Sequence, residues 1–150
     1  MTSRVDNTGL ILMVDDNPGD VRLTLEALHE SGTSAQLISV RDGQAAVQLL
    51  LHPPPGQRRP DLILLDLNLP RMDGREVLAI LRGDPRFRSL PVVVFSSSDA
   101  PHDIKDAYDR GANCYVVKPM ELDRFMTVVL QIERYWLGLA QLAGDTSNVR

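Results

Sequence analysis

The chain alternates between two kinds of segment. Short runs dominated by Leu, Ile and Val recur at Leu10–Val14, Gln36–Val40, Asp61–Leu65, Val92–Phe95 and Asn113–Val117. Each is too short for a stable helix and lacks regular apolar–polar alternation, which predicts strands buried on both faces. Between them, apolar residues recur at helical spacing over Asp20–Glu30, Gln44–Leu51, Glu76–Arg82 and Asp103–Arg110, and again from Glu121 to about Leu142. Alternation of this kind predicts an α/β fold, a parallel sheet joined by right-handed crossovers with helices on both faces. Pro18-Gly19, Gly32, Asp42-Gly43 and Asp73-Gly74 punctuate the boundaries.

Two segments depart from the regular pattern. In His52–Pro60, HPPPGQRRP, successive prolines remove amide donors and fix φ, so an extended surface loop is predicted in the second crossover. The final helix would extend about 33 Å at 1.5 Å per residue, against about 17 Å for a five-residue strand, so its end should project past the sheet. Phe125, Val129, Ile132, Trp136 and Leu139 keep helical spacing, while Val128, Tyr135 and Leu142 widen the apolar surface. That breadth points to a homodimer through this helix, with simple packing on the sheet as the alternative. Residues 1–9 read as an N-terminal lead, 10–142 as one domain and 143–150 as a flexible polar tail.

Composition narrows the partners. A length of 150 residues with 43% hydrophobic content suits one domain with an ordinary core. The formal charge of −4 is scattered in both signs, without the basic stripe that a direct nucleic-acid partner would require. Cys114 is the only cysteine, which excludes an internal disulfide and a thiolate metal cluster and fits a reducing, cytoplasmic setting. No apolar run approaches the ~20 residues of a membrane-spanning helix. His29, His52 and His102 have no partner at metal-ligand spacing and read as surface residues.

The candidate chemistry lies at the carboxyl ends of the strands, where open doubly wound sheets bind ligands. Asp15 and Asp16 follow the first strand, Asp66 the third, Ser96 the fourth and Lys118 the fifth. Carboxylates gathered at one edge repel one another unless a cation offsets them, and oxygen donors without His or Cys favour Mg²⁺. Asp16 and Asp66 are the expected direct ligands, Asp15 would act through a water, and the Asn68 backbone carbonyl could complete the set. A carboxylate is also a competent nucleophile toward a phosphoryl donor, which makes Asp66 the candidate acceptor. Lys118 would place charge on the phosphoryl oxygens and Ser96 would donate a hydrogen bond. Ser96 would move when the group arrives, and Tyr115 is the side chain expected to repack. Taken singly, each has a plainer reading: Asp15 and Asp16 as helix caps, Ser96 as a turn hydroxyl, Lys118 as a solvated lysine, Tyr115 as static packing. The shared edge favours the joint one.

Together with LMVDDNP, LILLDLNLPRMDG, PVVVFSSS and YVVKP, these residues closely resemble the receiver domain of two-component response regulators. The resemblance implies the flavodoxin-like strand order 2-1-3-4-5 with five helices, a histidine kinase as phosphoryl donor, and a cis Lys118-Pro119 peptide. DDNPGDVRLTLEAL, RPDLILLDLNLPRMDGREVLAILR and a terminal helix ending near YWLGL are similar to stand-alone regulators that partner bacterial phytochrome histidine kinases. Ser97 stands where the family often carries Ala. Asn68 and Ser98 occupy positions that tune phosphoryl lifetime in the family. Two other classes remain open at this point. A Mg²⁺-dependent phosphatase with an aspartyl-phosphate intermediate would need a further carboxylic acid, and Asp66-Leu67-Asn68 offers Asn there. A non-phosphorylated interaction module would have no use for the acidic pocket.

Overall fold

The computed structural model describes residues 9–139. Five strands, β1 (Leu10–Val14), β2 (Gln36–Val40), β3 (Leu62–Leu65), β4 (Val92–Ser96) and β5 (Cys114–Val117), alternate with five helices. These are α1 (Pro18–Glu30), α2 (Gly43–Leu51), α3 (Gly74–Gly83), α4 (Pro101–Asp109) and α5 (Leu122–Glu133), the last continuing as a π-helical segment, Arg134–Leu139. All pairings are parallel and the order is β2-β1-β3-β4-β5, the flavodoxin-like doubly wound arrangement. The order reverses between β1 and β3, which opens a crevice at their carboxyl ends. The tail assigned to residues 143–150, and the lead apart from Gly9, lie outside the described residues, as does the end of the long helix beyond Leu139.

Side-chain alternation along the inner strands makes two apolar layers. Leu12, Val14, Ile63, Leu65, Val92 and Val94 face α2, α3 and α4. Ile11, Met13, Leu62, Leu64, Val93 and Phe95 face α1 and α5, where Phe95 meets Phe125 with ring centroids 5.2 Å apart. Every residue of β1, β3 and β4 is buried. The edge strands β2 and β5 are not, contrary to the expectation of five buried strands. An edge strand has a neighbour on one side only, and the helices cover its outer margin incompletely.

The helix starts follow from capping. Asn17 caps α1 by accepting from the Gly19 and Asp20 amides, Asp42 caps α2, and Asp73 forms a capping box with Glu76 at α3. Asp15 and Asp16 are therefore not the caps of α1. His52–Pro60 is the expected surface loop, its turn closed by the Gln57 amide on the Pro54 carbonyl. His29, His52 and His102 are exposed.

One expectation fails, the cis Lys118-Pro119 peptide. The end of the terminal helix lies outside the described residues, and the segment before it packs down. Trp136 and Leu137 pack on the α1–α5 layer, and Leu137 lies so close over Gly9 that a Cβ there would meet it at 2.6 Å. The wider π turn rephases the side chains, bringing Leu137 inward and leaving Leu139 78% exposed. No peptide bond among the described residues is cis, so Lys118-Pro119 is trans. An X–Pro bond prefers trans by only about 0.5–1 kcal/mol, a margin that tertiary context can set either way. No helix among the described residues is long and apolar enough to cross a membrane.

Candidate functional site

Parallel pairing delivers the site. The Asp66 amide bonds the Val14 carbonyl, the Asp15 amide the Val40 carbonyl, and the Lys118 amide the Ser96 carbonyl. These bonds carry the ladder one residue past the strands and fix Asp15, Asp66, Ser96 and Lys118 along one edge. The Lys118 Nζ lies 2.7 Å from Asp15 Oδ2, 2.8 Å from Asp20 Oδ2 and 3.1 Å from Asp66 Oδ2. Asp15, Asp16 and Asp66 each place a carboxylate oxygen within 4.8 Å of the others. Asp15 is buried, Asp66 half-buried and Asp16 exposed, so the group opens to solvent at Asp16.

Sequence reasoning missed Asp20. An acid in the first turn of a helix reads as a complement to the helix dipole. Its place in the first turn of α1, just behind the Asp15-Asp16 pair, gave no more than a hint of proximity.

The electrostatics are asymmetric. Burial pushes the Asp15 carboxyl above its ordinary value, and the hydrogen bond and charge of Lys118 offset this only in part. Burial opposes the Lys118 charge too, but its hydrogen bonds to Asp15 and Asp20, with the charges of Asp15 and Asp66, outweigh it and raise its pKa. Three carboxylates thus meet one ammonium with Asp16 beside them, and the excess negative charge suits a divalent cation. The donor set is all oxygen, as hard cations prefer. Asn68 is exposed, and its amide points to Asp66 Oδ1 at 3.4 Å.

Two glycines close the walls. A Cβ on Gly74 would stand 2.3 Å from the Asp66 carbonyl oxygen, and one on Gly43 would stand 1.9 Å from that of Met72. Both positions read in the sequence as turn punctuation; their structural reason is close backbone approach. The Gly74 amide also bonds the Leu67 carbonyl, so the loop after Asp66 is tied to the start of α3. Within this loop Arg71 takes φ 68°, and its guanidinium lies 3.4 Å from Asp42.

Ser96 is fully buried at the end of β4, with its Oγ accepting from the Ser98 amide at 3.3 Å. The half-buried Tyr115 donates its hydroxyl to the Ser98 carbonyl at 2.8 Å, and its amide donates to the Tyr108 hydroxyl at 3.0 Å. Ser96 and Tyr115, paired in the sequence reading, are thereby joined through Ser98. Cys114 is half-buried between β5 and α5, and burial raises its thiol pKa.

Known proteins agree with this geometry. The chain is 42% identical over 130 residues to the response regulator Rcp1 of Synechocystis, covering 85% of this chain and 88% of Rcp1. It is 38% identical over 130 residues to the probable methanogenesis regulatory protein FilR2 of Methanothrix harundinacea, covering 86% and 84%. The phosphorylated cyanobacterial phytochrome response regulator RcpA superposes with a TM-score of 0.86 at 43% identity, over 91% of this chain and 99% of that one. The Mn²⁺-bound form of Rcp1 superposes with a TM-score of 0.83 at 40% identity, over 89% and 98%. With that Mn²⁺-bound relative, the acidic cluster implies a divalent metal site. Receiver domains act with sensor histidine kinases. The family model for the response regulator receiver domain matches residues 11–130, and this chain belongs to that family.

Proposed function

We propose that the protein is a phosphoacceptor switch, with Asp66 as the acceptor of a phosphoryl group from a kinase phosphohistidine. The observation that carries this reading is the Lys118 ammonium held at 3.1 Å from Asp66 beside three further carboxylates. An Asp66 carboxylate oxygen attacks phosphorus, the phosphorus–nitrogen bond breaks, and the electron pair leaves with the imidazole nitrogen, which takes up a proton. Lys118 is positioned to shift from carboxylate to phosphoryl oxygen, and Ser96 to donate its hydroxyl there. Mg²⁺ is the proposed metal, held directly by Asp16, Asp66 and the Asn68 carbonyl and through water by Asp15. When bound it neutralises charge on the phosphoryl oxygens.

The protein modifies only itself and turns over no metabolite. Asn68, where a phosphatase of this type would need an acid, supports that view over the enzymatic alternative. The assembled acidic pocket weighs against a non-phosphorylated module. The likeness to RcpA and Rcp1 supports a bacterial phytochrome kinase as the partner, in the cytoplasm, with no direct nucleic-acid target. Residues 10–142 form the proposed receiver domain.

Intact mass after incubation with acetyl phosphate and Mg²⁺ tests the acceptor. A labile adduct is expected on the native chain and not on Asp66→Asn; an unmodified native chain would overturn the proposal.

Homodimerisation through the terminal helix is proposed on the exposure of Tyr135 and Leu139, 53% and 78%. Because Leu137 packs on Gly9, truncation would disturb the fold. Light scattering of Tyr135→Glu with Leu139→Glu is the cleaner test, and a monomeric native chain would defeat it.

A further inference from the structure

Helix α4 is held unlike its neighbours. Of its nine residues, Pro101–Asp109, only Ala107 is buried, and its N-cap residue Ala100 makes no side-chain capping bond. The first-turn amides stay without a side-chain acceptor, and the segment leading into the helix is fastened instead. Ser98 Oγ accepts from the Ala100 amide at 3.3 Å and donates to Asp103 Oδ2 at 2.6 Å. Asp103 in turn meets Arg75, the second residue of α3, whose three guanidinium nitrogens each face a different carboxylate. Nη2 lies 3.1 Å from Asp103, Nε 3.4 Å from Asp106 and Nη1 3.5 Å from Asp73. Two of these acids belong to α4 and the third caps α3. His102 adds a contact of 3.2 Å to Asp103, and Arg110 one of 2.8 Å to Asp106.

We infer that Arg75 is a positioning residue for phosphoryl acceptance at Asp66, a latch that holds α4 and the Ser96–Ala100 segment in the arrangement of the unmodified protein. The inference rests on the proposed role of Asp66. Ser98 is the shared node: its amide donates to Ser96 Oγ, its carbonyl accepts from Tyr115 and its hydroxyl reaches Asp103. When the Ser96 hydroxyl turns to a phosphoryl oxygen, Ser98 is drawn with it. Either the Ser98–Asp103 bond breaks, or Asp103 follows and Arg75 must release α4. The resistance of this latch therefore opposes phosphoryl binding, and by linkage a ligand that favours the released state binds more tightly once the latch is weakened. The Ser98 hydroxyl also holds the Asp103 carboxyl below its ordinary value against desolvation, with His102 and Arg75 adding to the effect, so Asp103 is charged for Arg75 at neutral pH.

The test is titration of the full chain with beryllium fluoride, a phosphoryl mimic, at saturating Mg²⁺, followed by fluorine NMR. The variants are Arg75→Gln, Asp103→Asn and the double substitution. Each single variant is expected to lower the half-saturating concentration about two- to fivefold, the size of one partly screened ion-pair contact. The double variant should go no further than the stronger single, since both break one link. Arg75→Lys keeps the charge but not the fork and should fall between, which retains a readout should Arg75→Gln fold poorly. Mg²⁺ affinity without fluoride should not change. Equal half-saturation in all variants, multiplicative single effects, or a matching shift in Mg²⁺ affinity would overturn the latch while leaving Asp66 as acceptor. Failure of the native chain to bind the mimic would overturn the proposed function and the latch with it.

Discussion

Helices α3 and α4 lie on the same face of the sheet and have 10 and nine residues, yet different forces hold them. α3 buries Gly74, Val77, Leu78 and Leu81 and begins with a complete capping box. α4 buries Ala107 alone and is fastened by Ser98, Tyr108 and the Arg75 fork. Apolar packing is cooperative and is lost only with a cavity, whereas each polar tether can be exchanged for water or another partner at small net cost. The division is useful. α3 carries the glycine that backs the Asp66 loop and has to stay put, while α4 sits where a displaced Ser98 can move it.

The largest effects should come from breaking the packed side. Leu78→Ala in α3 removes a fully buried side chain and should cost about 2–5 kcal/mol in urea unfolding. The matching change in α4, Ile104→Ala at a half-buried position, should cost about 1 kcal/mol. Equal costs would end the contrast between the helices. Next comes Gly74→Ala, whose Cβ would collide with the Asp66 carbonyl oxygen at 2.3 Å. About 1–3 kcal/mol of destabilisation is expected, with slowed acetyl-phosphate labelling as the Asp66 loop shifts. Gly83→Ala, with nothing within 4 Å of its Cβ, is the control and should be neutral or stabilising by up to about 1 kcal/mol.

This contrast was only half legible in the sequence. The α3 segment, with Val77, Leu78 and Leu81 at helical spacing behind Asp73-Gly74, declares its packed face and its start. The strand-end carboxylates and Lys118 could be collected because topology alone sends the carboxyl ends of parallel strands to one edge. Asp20 could not, since its partnership with Lys118 depends on how α1 tilts over that edge. The tethers of α4 were also hidden, because Arg75, Ser98 and Asp103 are ordinary surface residues in sequence and meet only through the α3–α4 packing. The exposure of β2 and β5 follows from strand order, and β-branched content cannot report it. The rephasing of Leu137 requires a π turn that no periodicity rule anticipates.

A smaller change sharpens the comparison from the α4 side. Ala100 has φ −65° and ψ 129°, an extended conformation suited to a capping residue. Ala100→Ser should supply the missing cap and stabilise α4 by about 0.5–1 kcal/mol, read as slower amide exchange confined to that helix. If the latch reading holds, α4 then depends less on Ser98, and the gain from Arg75→Gln in beryllium fluoride titration should shrink.

The smallest effect is the most diagnostic, because its sign separates the two kinds of fastening. Raising NaCl from about 0.1 M to 1 M shortens the screening length from about 10 Å to about 3 Å. The Arg75 contacts to Asp103 and Asp106, at 3.1 and 3.4 Å with the Arg75 side chain 25% exposed, should weaken. Amide exchange in α4 should quicken slightly while α3 is unchanged. Acid probes the same tether. Because the folded pKa of Asp103 lies below the ordinary 3.8, its contribution is complete above that value and is lost only as pH falls through the folded pKa. Above that value Asp103 itself therefore adds no pH dependence to α4 exchange corrected for its intrinsic rate. Were α4 held by apolar burial, concentrated salt would leave its protection unchanged or raise it, as for α3. Slower exchange in α4 at 1 M NaCl would thus refute the tethered description however the mutants behave.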